Sequence, residues 1–455
     1  MISKLLNKIK NISGKNKEVY KSIILSFLIR GLAIVLSLFT LPAYMNFFDN
    51  KVVLGLWFTI VSILSWMLNF DFGIGNGLRN KLVPCLVNDD KEKIKKYISS
   101  SYIIISIVSI IVFIISFIVI PLLNWNTIFN VPEITISNKL LIKVVTIVFA
   151  GILLQFVLRL INSILYALQK SHIPALLSLI TSALNLLFVI LLPNQTVEQN
   201  IIILAYINIF TVNVPLIIAT LVIFKKNFSY AIPRFKYYTK KYAKDIMKLG
   251  GLFFGIQIMY MIITNTNEYM VTYFYNPEYV VDYQIYNKLF NLIGTVFSLT
   301  MVPIWSSITK ALSENDYVWI KKTYKKLFML AGCFILGEFI LIPFLQFFVN
   351  IWLGSESIQI NYIYAICFAI YGSIFIWSSV VSSMSNGLGK VKSQFVLMTC
   401  AVIIEFALLF IVTKQIDKWI TIVIINSIAM LPYCITQTII NNKYINMLNN
   451  KEGEK

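Results

Sequence analysis

Long apolar stretches of about twenty residues or more recur along the whole chain, and short polar segments separate them. A hydrocarbon core of about 30 Å is crossed by roughly 20 helical residues, so this pattern predicts membrane-spanning helices rather than the two-faced elements of a soluble domain. Twelve spans are predicted, at residues 20–46, 52–70, 98–123, 140–166, 173–193, 200–224, 248–275, 282–310, 327–352, 360–386, 393–413 and 418–441.

Composition agrees with the apolar pattern. Hydrophobic residues make up 58% of the 455 residues and charged residues only 13%, whereas soluble domains are on average about a quarter charged. The shortage of charge excludes a soluble enzyme, a coiled coil and a disordered scaffold. The first apolar run follows a lysine-rich start and continues without a small-residue cleavage site, so it predicts a first span rather than a signal peptide.

The excess of positive charge orients the chain. The sequence has 39 Lys and Arg against 20 Asp and Glu, a net charge of +19. If the N-terminus is cytoplasmic, 31 of these cations fall in inside segments and four in outside loops, which is the bias of cytoplasmic loops and predicts that both termini are cytoplasmic. This distribution follows topology and argues against a nucleic-acid partner. The four remaining cations lie within spans: Arg30, Lys143, Arg159 and Lys288.

The longest predicted inside loop divides the chain into two sets of six spans. We expect a cytoplasmic N-terminus at 1–19, an N-terminal lobe at 20–224, a basic cytoplasmic linker at 225–247, a C-terminal lobe at 248–441 and a cytoplasmic tail at 442–455. The linker's lysines and tyrosines suit anionic headgroups, which favours an interfacial interpretation over a regulatory role. Two halves that both begin inside predict a parallel repeat.

Two weak internal matches fall at equivalent positions of the two halves. Asn162–Leu177 matches Ser382–Leu397, with Leu-Gln-Lys in the first and Leu-Gly-Lys in the second, and Phe47–Trp57 matches Tyr275–Tyr286. Each match alone is no stronger than chance similarity between apolar hairpins, but their equivalent positions favour a repeat.

The six-plus-six spans, the Leu-Gly-Lys turn at Leu388–Lys390 and the segment FDFGIGNGLRNKL at Phe70–Leu82 resemble one branch of a known superfamily. That branch is the polysaccharide exporters of the multidrug/oligosaccharidyl-lipid/polysaccharide (MOP) superfamily, and most of all its Wzx-type O-antigen flippases. The resemblance covers the whole chain in topology. It implies an all-α integral membrane fold of twelve helices in two six-helix, MATE-like lobes with a central lumen that opens alternately to each side.

The resemblance also implies a cargo and a place of action. The cargo would be a polyprenyl-pyrophosphate-linked oligosaccharide for O-antigen, capsule or exopolysaccharide, moved across the bacterial inner membrane. Membrane lipid, the polysaccharide polymerase and the chain-length machinery are further candidate partners, and a monomer is expected. The sequence has no ATP-binding motif, so ion coupling is the expected energy source.

Ionisable residues inside spans are costly and mark candidate sites. Arg30 is predicted near mid-depth of the first span and Arg159 near the inner end of the fourth. Their guanidinium groups offer two parallel donors to a pyrophosphate or an acidic sugar. A pair with a carboxylate in a neighbouring span, or snorkelling of Arg159, is the structural alternative.

The seventh span carries the polar run Thr264–Glu268, which must face protein or water. Glu268 and Lys288 lie ten residues either side of the hairpin at Glu278, so they reach similar depth and are candidates for an ion pair, either gating or static. The candidate lumen contacts for sugar and phosphate are Arg30, Arg159, Lys288, Asn265, Asn267, Gln257 and Asn291, with Tyr260 beside them.

Three more carboxylates are candidates for coupling or gating together with Glu268. Glu338 and Glu405 are single acids near mid-depth, and each is either a proton site or a structural partner of a nearby polar group. Asp71, with Arg79, is a candidate lock at the inner end of the second span. The glycines after Asp71 lack the spacing and the preceding strand of a nucleotide loop.

Metal and cofactor sites are not expected. The chain has a single histidine, His172, and five cysteines without paired spacing, which indicates neither a zinc site nor a disulfide framework.

Three other functions remain open from the sequence. A cation-coupled drug or metabolite exporter of the same superfamily would be expected to place a compact acidic site in the first six spans, where no carboxylate lies at depth. A membrane polymerase or glycosyltransferase would need a large outside loop with catalytic groups, and the predicted outside loops are short. A scaffold for an export machinery would not need charged residues at depth.

Overall fold

The computed structural model describes residues 14–47, 53–54, 56–58, 60–61, 72–129, 131–192, 195–275, 279–353 and 358–453. Within these ranges the regular structure is helical and contains no strand. The α-helices are α1 Gly14–Phe47, α2 Ile74–Val87, α3 Lys91–Val119, α4 Trp125–Phe129, α5 Asn138–Leu158, α6 Leu160–Ala167, α7 His172–Leu191, α8 Val197–Lys226, α9 Lys240–Asn265, α10 Asn267–Phe274, α11 Tyr279–Ser313, α12 Tyr317–Leu341, α13 Leu345–Leu353, α14 Tyr362–Gly387, α15 Val391–Val412 and α16 Thr421–Gly453.

Ten helical segments among the described residues are long and apolar enough to cross a membrane. They coincide with the third to twelfth predicted spans, and the chain is a multi-pass membrane protein. Helix α1 covers the first predicted span, whereas most of the second, at 52–70, lies outside the described residues. Helix α9 begins at Lys240, so the last residues of the predicted linker form its first two turns.

The chain divides into two compact units, Met1–Gly251 and Leu252–Lys455. In the first unit α1 packs against α7, α5 against α8, and α2 against α6. In the second unit α14 is central and packs against α11, α12 and α16. Its core contains an aromatic cluster in which the rings of Tyr286 and Phe368 stack at 5.4 Å and Trp419 lies 6.2 Å from each of them.

The outer surface of the spans is apolar. On α3 the exposed residues Ile110, Ile114, Phe117 and Ile118 follow helical spacing along one side. A soluble protein would bury such a stripe, because each large apolar side chain gains about 1.5–3 kcal/mol when it leaves water. This side of α3 is therefore a lipid-facing surface.

Two turns of the matched segments have the same backbone geometry. Gln169 and Gly389 both adopt left-handed conformations, with φ of 62° and 72°. In each turn the backbone N–H of the next residue donates to the carbonyl oxygen five residues earlier. Lys170 donates to Leu165 at 2.9 Å, and Lys390 donates to Ser385 at 2.8 Å. The equivalence that the sequence indicated at this position extends to the hydrogen bonds. The other match lies partly outside the described residues.

A second pair of equivalent turns was not apparent from the sequence. Asp89 and Asn315 are left-handed, with φ of 47° and 60°. Each is followed by an aspartate, Asp90 or Asp316, whose carboxylate caps the next helix by accepting a backbone N–H at 3.0 and 3.1 Å. These turns precede α3 and α12, which occupy corresponding places in the two units.

A third pair lies at the other ends of the same helices. Helix α3 runs into the 3-10 turn Ile120–Leu122 and then into α4, while α12 runs into the 3-10 turn Ile342–Phe344 and then into α13. Each turn has a proline in its first residues, where the ring's fixed φ and missing N–H are tolerated. The same order of turns in both units supports the predicted parallel repeat.

The glycine-rich segment after the second predicted span allows close helix packing. A β-carbon at Gly77 in α2 would lie 2.9 Å from the carbonyl oxygen of Ile246 in α9, and one at Gly250 would lie 3.1 Å from the carbonyl of Gly73. The polar composition of this segment is compatible with a helix exit into a short basic stretch at the membrane interface. The structure instead forms helix α2, whose backbone touches that of α9.

Candidate functional site

Four polar side chains line one side of α11 in the second unit. Gln284, Lys288, Asn291 and Thr295 are spaced four, three and four residues apart, which places them on one helix face. Lys288, Asn291 and Thr295 are exposed, and Gln284 is half-buried. Because α11 is long and apolar enough to span a membrane, an exposed polar face along it must meet water or a polar ligand rather than hydrocarbon. We call these four residues the polar stripe.

Glu268 joins α10 to the polar stripe. Its carboxylate accepts a hydrogen bond from the side-chain amide of Gln284, and it is exposed. Lys288 lies one helical turn further along α11, with its ammonium 5.6 Å from the centre of the Trp352 ring. Gln284, one turn before Lys288 on α11, is thus the partner that the structure gives to this carboxylate, and the Glu268–Lys288 ion pair stays a prediction. Sequence reasoning missed Gln284, which carries no charge and gives no depth signal.

The polar run in the seventh span coincides with a break between helices. Helix α9 ends at Asn265, α10 begins at Asn267, and Thr266 lies between them. The hydroxyls of Thr264 and Thr266 donate to carbonyls one turn back, at 2.8 and 2.6 Å. These bonds satisfy backbone groups beside the break, which explains why a polar run is kept here. Asn265 is exposed.

Asn267 points away from the polar stripe and into the core. Its side chain is 1% exposed. Its amide donates to the hydroxyls of Tyr283 at 3.1 Å and Tyr371 at 3.2 Å, and its carbonyl oxygen accepts from Asn426. Neighbouring side chains on a helix point about 100° apart, so Asn267 is buried while the adjacent Glu268 is exposed. The structure makes Asn267 the centre of a buried hydrogen-bond cluster that links α10, α11, α14 and α16.

Gln257 and Tyr260 lie on α9, nine and six residues before the break at Thr266. Gln257 is half-buried, and no hydrogen bond to its buried Oε1 atom is found within the described part of the chain. Tyr260 is 44% exposed and packs edge-on to Phe375 at 5.9 Å.

Glu338 is fully enclosed. It is 0% exposed, and neither carboxylate oxygen has a hydrogen-bond partner among the described residues. The carboxylate packs directly on Gly372 of α14. An ionised carboxylate with no partner is very costly in such surroundings, so we expect the neutral acid.

Glu405 of α15 is also buried, at 1% exposure. No partner for its Oε2 atom is described, and the residue is close enough to Tyr371 to interact with it electrostatically. It therefore lies next to the Asn267 cluster. Both acids can gain or lose a proton, but neither is on the exposed polar stripe.

Arg30 in the first unit borders open space. It is half-buried on α1, and none of the described carboxylates forms an ion pair with it. At the next residue, Gly31, an added β-carbon would have no atom within 4 Å. Arg159 occupies the break between α5 and α6 and is half-buried; its backbone N–H donates to Gln155 at 2.8 Å. Asp71 lies outside the described residues.

Arg79 is a buried cation that the sequence analysis counted as a loop charge. It is 3% exposed, and its guanidinium lies 4.9 Å from the centre of the Tyr166 ring. Burial lowers the pKa of Arg79 to about 9, so it still carries its charge at neutral pH. The neighbouring Gly77, which brings α2 against α9, is the sequence signal that this segment is packed rather than solvated.

The comparisons with known proteins agree with this architecture. No family model matches the sequence. A Yersinia pseudotuberculosis protein named for O-antigen export is 21% identical over 368 residues, which cover 78% of this chain and 82% of that protein.

Solved structures of transporters match almost the whole chain. A MATE protein in its straight conformation gives a TM-score of 0.74 at 14% identity over 95% of this chain and 97% of the other. An outward-facing multidrug resistance MATE transporter of the MOP superfamily and a MOP superfamily transporter from Pyrococcus furiosus each give 0.74 at 16% identity, over 95% of this chain and 96% of theirs.

The class of fold follows from these observations. The part of the chain that the structure describes is all-α, and the chain is a multi-pass membrane protein with a MATE-like fold, as the sequence predicted. Its resemblance to the polysaccharide-exporter branch is confirmed by the similarity to the O-antigen export protein. The proteins that it resembles are transporters and an export protein rather than enzymes.

Proposed function

We propose that this protein is a flippase that moves polyprenyl-pyrophosphate-linked oligosaccharides from the inner to the outer face of the bacterial cytoplasmic membrane by alternating access. The polar stripe on α11 carries this proposal, because an exposed lysine and amides along a membrane span need a polar ligand or water. The similarity to an O-antigen export protein supports the choice of cargo.

The exposed residues offer the chemistry that this cargo needs. Asn291 and Gln284 can each donate and accept hydrogen bonds with sugar hydroxyls, and the carboxylate of Glu268 can accept them. Lys288 supplies a cation with three donors for a phosphate or an acidic sugar. Asn265 extends this surface beyond the helix break. Selection of a particular sugar unit would arise from several such contacts.

The arginines of the first unit are proposed pyrophosphate contacts. Arg30 is the stronger candidate, since it has no described ion pair and lies beside open space at Gly31. Arg159 lies at a helix break, where its side chain is half-buried. A guanidinium can hold two phosphate oxygens with two parallel hydrogen bonds, which suits a pyrophosphate better than a single lysine would.

The buried acids are proposed coupling groups. Glu338 and Glu405 have oxygens without described partners, so a change of protonation would change the local free energy strongly. Proton-coupled export is consistent with this arrangement. A monomer that acts beside the polysaccharide polymerase and the chain-length machinery completes the proposal.

A cation-coupled exporter of drugs or metabolites is the second candidate. One observation favours it: the fold matches that of MATE transporters. Both buried acids lie in the second unit rather than in the first six spans, where such an exporter would be expected to place them. The cargo of this candidate would be a small molecule. The phenotype of a strain that lacks the gene therefore distinguishes the two functions.

A deletion strain tests both functions. We expect lipid-linked repeat units to accumulate on the inner face of the membrane and surface glycan to be lost, with both restored by the gene. Lys288→Gln should lower the rate of glycan export about tenfold. A tenfold change corresponds to a free-energy difference of about 1.4 kcal/mol. Lys143→Gln is the matched control and should export normally, because this exposed lysine lies near the start of α5, where its side chain can reach the membrane interface.

Two outcomes separate the candidates. Normal surface glycan in the deletion strain would contradict the flippase. If that strain instead becomes sensitive to cationic drugs, and Glu338→Ala or Glu405→Ala reproduces the sensitivity, the second candidate takes its place.

A further inference from the structure

The connection between α8 and α9, residues 227–239, is an ordered surface element. It contains two short 3-10 turns, Ser229–Ala231 and Phe235–Tyr237. Within it Phe228 is 2% exposed and Ala231 is fully buried. Its lysines and tyrosines predicted a linker suited to lipid headgroups. The structure shows which of its side chains are packed and which are presented outward.

Hydrogen bonds fix the connection to α3 along its length. The backbone N–H of Arg234 donates to the hydroxyl of Ser99 at 3.3 Å, and that of Thr239 donates to the hydroxyl of Ser100 at 3.4 Å. The two hydroxyls are adjacent on one helix and both residues are fully buried. The turn between Arg234 and Thr239 is therefore held at both ends.

Lysines of α3 pack on the aromatic rings of this connection and of the start of α9. Lys91 lies 5.9 Å from the ring of Tyr230, Lys95 lies 5.5 Å from Tyr237, and Lys96 lies 5.8 Å from Tyr242. Each distance is within the range of cation–π attraction. The tyrosines thus fasten the connection. The ammonium of Lys236 lies 4.9 Å from the centre of the Tyr237 ring, so it is held beside them while the residue stays exposed.

The side chains that point outward combine apolar and cationic groups. Phe235 is 83% exposed, and its flanking residues Arg234 and Lys236 are exposed as well. Tyr238 and Lys240 are also exposed. The stretch 225–248 contains eight Lys and Arg and one acidic residue. A rigidly held phenylalanine between cations is the surface that an anionic membrane interface attracts.

Connectivity places this surface at a membrane boundary. Helices α8 and α9, which it joins, are both long and apolar enough to span, so a connection of 13 residues between them has to lie where they leave the hydrocarbon. A headgroup layer is then within reach of Phe235 and its flanking cations.

We propose that residues 234–240 form a binding site for anionic phospholipid. Phe235 enters the acyl region, and Arg234, Lys236 and Lys240 bind the headgroup phosphate. The site fastens the connection between α8 and α9 to one leaflet through α3. The proposal concerns a lipid at the membrane boundary and holds for either cargo discussed above.

The affinity of the purified full-length protein for phosphatidylglycerol tests the cationic part. The probe is protein in neutral detergent, titrated with phosphatidylglycerol or phosphatidylcholine, with retained lipid counted by native mass spectrometry. The triple variant Arg234→Gln, Lys236→Gln, Lys240→Gln should lose about fivefold in affinity for each cation removed. The matched control is Lys321→Gln, Lys322→Gln, Lys325→Gln, which removes three exposed lysines from α12 and should change affinity little.

A second measurement tests insertion of Phe235. In nanodiscs that contain brominated lipid, Phe235→Trp should show more quenched tryptophan emission than the parent protein, and the added quenching should fall when phosphatidylglycerol is replaced by phosphatidylcholine. Equal loss of affinity in the triple variant and its control would overturn the site. So would the absence of added quenching, or equal competition by free inorganic phosphate. Unchanged thermal stability without lipid confirms that the variants fold.

Discussion

Gly372 of α14 lies so close to Glu338 of α12 that a β-carbon at position 372 would stand 2.8 Å from the Oε1 atom of the carboxylate. A buried acid thus packs on a stretch of helix backbone that only glycine leaves open. The carboxylate is the end of a flexible side chain but is fully buried, so we expect Gly372→Ala to destabilise the protein by about 1 kcal/mol, the lower end of overpacking costs. Thermal unfolding in detergent measures this.

Replacing Glu338 by a smaller residue should remove the destabilisation that Gly372→Ala causes. In the double variant Gly372→Ala, Glu338→Ala the new methyl group occupies space that the carboxylate has left, so its destabilisation should be smaller than the sum of the single changes. Residues in contact typically couple by about 0.5–3 kcal/mol. Strictly additive effects would mean that the two residues do not touch.

A second prediction concerns the contact of α2 with α9. Gly77→Ala places a β-carbon 2.9 Å from the backbone carbonyl of Ile246, and a backbone atom cannot rotate away as a side chain can. We expect a loss of about 1–3 kcal/mol in the free energy of unfolding. Gly31→Ala is the matched control: its β-carbon meets nothing, and alanine should be neutral or stabilising by up to about 1 kcal/mol. Equal melting temperatures for the two variants would contradict the close packing.

The Asn267 cluster should contribute to stability rather than to cargo binding. Asn267→Leu leaves the hydroxyls of Tyr283 and Tyr371 and the amide of Asn426 without this partner. Each buried polar group left unpaired costs about 1–3 kcal/mol, so unfolding should shift by several degrees. Asn265→Leu, two residues earlier and exposed, should leave stability unchanged. If Asn267→Leu lowers export but not the melting temperature, a direct role in cargo binding becomes the better interpretation.

Glu268 and Lys288 should behave as independent residues. Glu268 is bonded to Gln284 and Lys288 lies over Trp352, so the exchange variant Glu268→Lys, Lys288→Glu should not restore export lost in the single variants. In contrast, Glu268→Gln and Gln284→Ala should be non-additive, because they share one hydrogen bond. Recovery of normal export in the exchange variant would show that the two charges do interact during transport.

The spans could be predicted from the sequence because they depend on a local property. An apolar run of sufficient length has to form a helix in lipid, where every backbone group must be satisfied within the segment. The ten spans found at their predicted positions follow from this constraint. Of the two sequence matches, the one at Leu388–Lys390 is also seen in the described backbone. The other equivalent turns share backbone geometry with little sequence identity.

The partners of the polar side chains depend on how neighbouring helices are rotated, which the sequence does not record. It identified Thr264–Glu268 as a polar run, but the break at Thr266 and the rotation of α10 send Asn267 inward and Glu268 outward. Their similar predicted depth suggested a contact between Glu268 and Lys288. In the structure the carboxylate of Glu268 contacts Gln284, which lies one helical turn before Lys288. Hydrophobicity thus determined which segments span the membrane, and only helix packing decided what each polar side chain touches, because adjacent residues on a helix point about 100° apart.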